Sequence, residues 1–373
     1  MGSSTASDHE MVIMENDSKN KQVVIADLLK RLVGGLVPDE EMRNMFRFEL
    51  EKRLKWGYKS THQQQLSQLL NLVELNKGIA KIAPEMDALN SAMYEVPIPY
   101  LKLMLGSTLK QSCLYFKDES TTLDEAEIEM MDLYLERADI QDGQSILDLG
   151  CGLGGLGFHI AQKYISCNIT ALTNSLTQKE FIEEKCKTLN IPNVKVILAD
   201  VTTVEIETTF DRLFAIGLVE HMENYELFLR KLSKWMKQDG LLFIEHLCHK
   251  TLAYHYKPID EDDWYSNLLY PTGTLTSASF LLYFQDDLSV VDHWSLSGKH
   301  FSRATEEWLK MIDANMDKIR EIYESVTESK EEATRSINQW RIFCISCAEM
   351  FGYNDGEEWM ISHFLFKNKK QIE

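Results

Sequence analysis

A chain of 373 residues with 44% hydrophobic and 10% aromatic side chains carries enough apolar material for one large core or two smaller ones. Its net charge of −19 argues against nucleic acid and anionic membrane surfaces as partners. Seven scattered cysteines fit a reducing compartment rather than a disulfide framework, and without a signal-peptide core or a run of 18 apolar residues the expected location is cytoplasmic.

Residues 1–21 are polar and lack periodicity, so they read as a disordered tail. Met1-Gly2 resembles the start of a myristoylation signal, but position 6 is alanine rather than serine or threonine. From Val23 to about Leu75 the pattern is helical. Its clearest stretch, Asp39 to Trp56, is charged and amphipathic, with Pro38 suited to the first turn. Met93 to Leu109 mixes aromatic and apolar residues around Pro97 and Pro99.

An alternation then begins. Strands are expected at Ser145–Leu149, Asn168–Thr173, Val194–Leu198, Arg212–Ile216 and Leu241–His246, and helices at Gly155–Tyr164, Gln178–Leu189 and Tyr225–Lys237. This spacing predicts a parallel sheet covered by helices on both faces, with ligands at the carboxyl ends of the strands. After Lys250 the rhythm changes. Asp260 to Trp264 opens an insertion, Ser279 to Val291 reads as a strand, Trp308 to Val326 and Glu331 to Met350 as helices, and Glu358 to Phe366 as a closing strand. The expected organisation is a tail (1–21), an N-terminal helical cap (22–118), a nucleotide-binding α/β core (119–250), and a segment (251–373) holding a cap insertion and the strands that complete the core.

The stretch Ile146-Leu-Asp-Leu-Gly-Cys-Gly-Leu-Gly-Gly-Leu-Gly157 runs from an apolar strand through a glycine-rich turn into an amphipathic segment. That order is strand, nucleotide-holding loop, helix. Asp148 lies in the pattern D-x-G-x-G-x-G, which suits S-adenosylmethionine because its cationic amino-acid end needs a nearby carboxylate. Gly150, Gly152 and Gly155 also satisfy G-x-G-x-x-G, the dinucleotide pattern, so the loop alone leaves two enzyme classes open. A dinucleotide enzyme would place an acid at the end of the second strand to hold a ribose hydroxyl. Here that end reads Thr173-Asn174-Ser175-Leu-Thr-Gln178, with no acid. Asp200-Val201 follows the third strand, where an acid can accept from an adenine amino group. As a plain alternative, Asp200 caps a turn. These features together favour S-adenosylmethionine.

The fourth strand ends Ala215-Ile216-Gly217-Leu-Val-Glu220-His221-Met222, placing two titratable side chains at the ligand-bearing edge. A carboxylate and an imidazole there can orient an amine and take its proton. No metal is expected. Cys344-x-x-Cys347 has no second pair at finger spacing, and Glu245-His246-Leu-Cys248-His249 lies on a strand whose alternate side chains point to opposite faces.

With these residues in view, the chain resembles the cyclopropane fatty acid synthase-like methyltransferases, and more closely the plant benzylisoquinoline alkaloid N-methyltransferases of the coclaurine N-methyltransferase group. The resemblance runs from about Val23 to Lys370. Besides the loop it rests on Gln111 to Phe116, Thr121 to Ala126, Val219 to Met222, Glu245 to Lys250, Tyr283 to Asp287, Leu296 to Phe301 and Gly356 to Trp359. It implies a class I methyltransferase, a Rossmann-like and mostly parallel seven-stranded sheet with a helical N-terminal and inserted substrate cap. It implies cofactor contacts at Ser112, Gly150, Asn174, Gln178, Asp200, Val201 and Ile216, and Glu220 and His221 handling the substrate amine. It places Tyr94, Trp340 and Phe343 in the alkaloid pocket, although periodicity alone would make Trp340 and Phe343 core residues. Members of the group often form dimers, so a homodimer is expected on the resemblance alone.

Two departures from the family pattern bear on specificity. The lipid-modifying relatives hold bicarbonate with a carboxylate, a histidine, a cysteine and a tyrosine. Cys113, Glu220 and His246 match that set, but the tyrosine position holds Phe301, which argues against cyclopropane chemistry. Coclaurine-type enzymes carry an extra glutamate where this chain has Gly217, which favours a bulkier or already tertiary amine, of reticuline, pavine or tetrahydroprotoberberine type. The competing readings are a lipid or small-molecule C- or O-methyltransferase, an NAD-dependent oxidoreductase sharing the glycine loop, and a non-catalytic binder on the same scaffold. In the favoured reading His221 takes the proton and Glu220 holds the ammonium, and the two roles can be exchanged.

Overall fold

The computed structural model describes residues 23–84, 96–269 and 273–369. The polar tail and Tyr94 lie outside them. Among the described residues five helices precede the sheet: α1 (23–33), α2 (Asp39–Gly57), α3 (His62–Lys77), α4 (Ile98–Met104) and α5 (Leu123–Arg137). The helical stretch from Val23 is thus three helices. It breaks at Gly34-Gly35, where Gly35 has φ of 70°, restarts after Pro38, the extended N-cap of α2, and breaks again before Thr61, whose side chain accepts from the Gln64 N–H and starts α3. α5 opens with a reciprocal capping box between Thr122 and Glu125.

The core follows in the expected order: β1 (Ser145–Leu149), α6 (Gly155–Lys163), β2 (Asn168–Thr173), α7 (Leu176–Leu189), β3 (Val194–Leu198), β4 (Phe210–Ile216), α8 (Tyr225–Lys234) and β5 (Met236–His249). Then come β6 (Tyr254–His255), the short α9 (Tyr265–Leu269), β7 (Thr274–Ser277), β8 (Leu288–Leu296), α10 (Lys299–Ala314), α11 (Met316–Val326), α12 (Lys330–Gly352) and β9 (Trp359–Asn368). β1 to β5 pair in parallel in the order β3-β2-β1-β4-β5. β9 adds antiparallel to β5, and β8 antiparallel to β9, which completes seven strands with one reversed. This is the mostly parallel sheet of a class I methyltransferase.

Two expectations needed correction. Ser279–Val291 is not one strand. Phe280–Tyr283 is a 3₁₀ turn, and the strand begins only at Leu288. Phe280 and Phe284 instead pack around the Tyr225 ring at 5.5 Å, so burial under α8 outweighs strand pairing. The stretch from Trp308 to Val326 is two helices, because Asn315 ends α10 and begins α11.

Period-2 alternation divides the sheet's side chains between two apolar clusters. Ile146, Phe214 and Phe243 face one, with α1, α2, α4 and α5; Leu147, Leu149, Leu213 and Ala215 face the other, with α3 and α8. Asp148 pairs with Phe214, Phe214 with Phe243, and Glu245 with His363. Asp148, Glu245 and His363 therefore share the face covered by α5.

β5 extends beyond the end of β4 because β7 takes up pairing at Cys248 and His249, while β9 occupies its other edge from Leu241 to His249. β7 therefore continues the line of β4 along β5, leaving a short gap between them. The segment holding β6 and α9 is tied to α2 through buried Arg53. Its guanidinium bonds Asp263 at 2.6 Å and lies 4.9 Å from the Tyr254 ring centre. α2 is in turn tied to α12 by Arg43 and Arg47, both on Glu349.

Candidate active site

At the end of β1, Gly150, Gly152 and Gly154 have φ of 69°, 53° and 78°, the left-handed region that only glycine adopts without strain. The N–H groups of Gly150 and Cys151 both bond the Leu172 carbonyl, which pins the turn to the end of β2. A Cβ on Gly155 would sit 2.8 Å from the Thr108 carbonyl oxygen, so glycine there admits the arm that precedes α5. That arm is held from below by Glu127, which accepts from the N–H groups of Gly106 and Thr108 at 3.0 and 2.8 Å. It carries Ser112 into the site: a Cβ on Gly217 would lie 3.9 Å from the Ser112 Cβ.

The other residues expected on the donor side follow their strands. Asn174 is exposed at the tip of β2. Gln178 accepts from the Thr173 hydroxyl at 2.6 Å, and its own N–H bonds Ser175, the cap of α7. Asp200 follows β3, exposed, with one carboxyl oxygen on the N–H and hydroxyl of Thr202, both at 2.7 Å. The turn-capping alternative for Asp200 is therefore realised, and its second oxygen remains available to a ligand. Val201 is buried beside it and Ile216 is half-buried at the end of β4.

Glu220 and His221 lie on a 3₁₀ turn, Val219–His221, just after β4. This turn fills the gap between β4 and β7. There Leu247 has no strand partner for its N–H, and Glu220 Oε1 accepts it at 2.6 Å. Glu220 Oε2 is enclosed and unpartnered among the described residues. Burial raises the Glu220 carboxyl to about 7 and holds the His221 imidazole below its usual value. His246 is fully buried, its Nδ1 2.8 Å from the Thr276 hydroxyl, and burial pushes it down to about 3, so it is neutral. Its Nε2 is unpartnered among the described residues. Gly217, with φ of 60°, is exposed beside this turn.

On the cap, Trp340 and Phe343 are half-buried rather than core. Their rings lie 5.7 Å apart in an edge-to-face pair, and Trp340 also meets Tyr100 at 5.8 Å. Phe301 is buried edge-on against Phe351 at 5.0 Å. The Glu245–His249 run does not converge. Glu245 faces Tyr134 and His363, His246 faces Thr276, and His249 lies 3.3 Å from Glu358. Among the described residues no cluster of histidine, cysteine and carboxylate can hold a metal ion, and no helix is long and apolar enough to cross a membrane.

The donor pocket fits S-adenosylmethionine on two observations. The glycine turn leaves room for close backbone approach, and Asp148, 3% exposed, has an enclosed Oδ2 that is unpartnered among the described residues and that a cationic amino group would satisfy. Burial raises Asp148 to about 7, opposed by the charge of Lys110.

Sequence reasoning missed Lys110, Tyr134, Glu245 and His363. The Lys110 ammonium bonds the Ser112 hydroxyl and the Cys113 carbonyl. Tyr134 and His363 both bond Glu245 Oε2, at 2.6 and 2.9 Å. Arg137 lies 2.6 Å from His363 Nδ1, so that nitrogen accepts and Nε2 carries the hydrogen given to Glu245. The signal was an acid inside the apolar run Leu241 to Leu247, where an unpaired carboxylate is costly.

Comparison with known proteins agrees with this geometry. Residues 83–359 match the mycolic acid cyclopropane synthetase family. (S)-coclaurine N-methyltransferase of Papaver somniferum is 59% identical over 345 residues, 92% of this chain and 98% of that one. Pavine N-methyltransferase of Thalictrum flavum subsp. glaucum is 56% identical over 353 residues, 94% of this chain and 99% of that one. The crystal structure of a coclaurine N-methyltransferase bound to N-methylheliamine and S-adenosylhomocysteine superposes with a TM-score of 0.91 at 58% identity, covering 92% of this chain and all of that one. The chain belongs to the benzylisoquinoline alkaloid N-methyltransferases, S-adenosylmethionine-dependent enzymes on the cyclopropane-synthase-like fold.

Proposed function

We propose that this enzyme methylates the nitrogen of a benzylisoquinoline-type alkaloid, secondary or tertiary, with Glu220 and His221 handling the amine. The observation that carries the reading is the half-satisfied Glu220 carboxylate: Oε1 holds the Leu247 N–H, and enclosed Oε2 is left for a cation. Relatives named for coclaurine, pavine and tetrahydroprotoberberine substrates support the acceptor class. In this reading residues 22–118 and the segment from 251 onward cap a core of residues 119–250. Trp340 and Phe343 stack on the substrate rings, with Tyr94, outside the described residues, assigned to the same pocket. His246 and Gly217 border it.

S-adenosylmethionine, held by Ser112, Asp148, Gly150, Gly152, Asn174, Gln178, Asp200, Val201 and Ile216, supplies an electrophilic methyl group. The chain's own task is to present a neutral nitrogen. An amine with a pKa of about 10.4 is only ~0.1% neutral near pH 7.4, a penalty of about 4 kcal/mol. Burial moves the two candidate bases in opposite directions. A raised carboxyl is the stronger proton acceptor, and a lowered imidazole stays neutral and orients. This favours Glu220 as the base and His221 as the orienting group, the exchange of the roles first assigned. For a tertiary amine the same carboxylate stabilises the quaternary product, as do the aromatic walls. The family's dimers extend to this chain as part of the proposal.

The test is a panel of secondary and tertiary benzylisoquinolines assayed with wild type, Glu220→Gln and His221→Ala. Turnover is expected to fall about 10²–10⁴-fold in Glu220→Gln and less in His221→Ala, with S-adenosylhomocysteine still bound by calorimetry. On secondary amines, wild-type turnover is expected to fall as pH drops below about 7, because the carboxylate that accepts the proton is then protonated. Wild-type turnover in both variants would overturn the assignment.

A further inference from the structure

Beneath the glycine loop lies a charged cluster to which the mechanism above gives no role, although it adjoins the donor residues Ser112 and Asp148. Lys110 is 7% exposed and Glu245 2%, both on the sheet face covered by α5. The Lys110 ammonium donates to the Ser112 hydroxyl and to the Cys113 carbonyl, the latter at 2.7 Å. It lies 4.9 Å from the centre of the Tyr134 ring, whose hydroxyl donates to Glu245 at 2.6 Å. Arg137, His363 and Glu245 continue the chain of bonds to the edge of β9. Asp148 shares this face, and Lys110 is the one charged group that offsets its burial.

An ammonium this enclosed is expensive unless each of its contacts is used. Stability alone does not call for it, since an apolar side chain of similar length would fill the space. What the lysine adds is position. It fixes the arm that brings Ser112 beside Gly217, and it places a positive charge beneath a carboxylate that must stay ionised to meet a cationic ligand.

We propose that Lys110 is a positioning residue for the methyl donor, holding the Ser112 hydroxyl and the Cys113 carbonyl of the arm in place against the Tyr134 ring. The inference rests on the donor reading of the glycine loop and not on the identity of the acceptor.

The test uses Lys110→Met in the full chain. S-adenosylhomocysteine is expected to bind at least about tenfold more weakly by calorimetry, the effect of losing one bond to a charged group. KM for S-adenosylmethionine rises in step, and kcat at saturating donor stays within about threefold of wild type. Wild-type affinity for S-adenosylhomocysteine in Lys110→Met would overturn the proposal. Should that variant fail to fold, the double variant Lys110→Met/Glu245→Gln removes both buried charges together. Thermal stability recovering while donor affinity stays low supports positioning. Donor affinity returning with the stability would overturn it, because Lys110 would then act through the core alone. Since calorimetry with S-adenosylhomocysteine involves no acceptor, this test and the alkaloid panel fail independently.

Discussion

In the proposed assignment the donor and acceptor halves of the site are built from different materials. The donor half is made of strand ends and tight turns: glycines at positive φ after β1, a capped helix start after β2, an aspartate turn after β3. Each is local, within a few residues of its strand. The acceptor half is assembled from parts distant in sequence. Glu220 bonds Leu247 across 27 residues, α2 is clamped to the segment at Asp263 and to α12, and the Trp340–Phe343 pair comes from a helix more than a hundred residues after Glu220. A cofactor common to many enzymes is met by backbone geometry that tolerates little change, whereas an acceptor that differs between relatives is met by side chains on separately anchored pieces.

This contrast can be broken at either half. Asp148→Asn keeps the shape of the donor turn and removes its charge. We expect S-adenosylhomocysteine affinity to fall by about 1.5–3 kcal/mol, roughly 10- to 100-fold, with the alkaloid preference unchanged. A shifted preference would show that the halves are not separable. Trp340→Ala should leave donor binding intact and raise KM for the alkaloid about tenfold, through loss of stacking and cation–π contact. Donor affinity falling equally would place α12 in the donor half. The smallest effect is expected from Gly217→Glu. At φ of 60° a side chain strains the backbone by about 1–2 kcal/mol, yet its Cβ meets only Ser112 at ordinary contact distance, so the variant should fold. It is expected to shift the ranking of secondary over tertiary amines by a few-fold. An unchanged ranking in the same panel would remove Gly217 from the specificity argument.

The core strands were legible because each is a short apolar run bounded by turn residues: β1, β2 and β3 begin and end where the pattern places them. Reading failed where an apolar run had two uses. Phe280 to Phe284 has the composition of a strand and became a turn packed on Tyr225. Periodicity records which face is apolar and is silent on what covers it.

The sequence by itself determined the α/β order, the glycine turn and its donor, and the pairing of Glu220 with His221 after the fourth strand, because these depend on residues close along the chain. Only the tertiary structure decided which groups act together. That β5 outruns β4, so that Glu220 takes the Leu247 N–H and is left with one enclosed oxygen, depends on how β7 and β9 pair. The chain of bonds from Tyr134 to Arg137, against which Lys110 lies, depends on strand register placing Glu245 opposite His363, and register is set by long-range packing that no local pattern records.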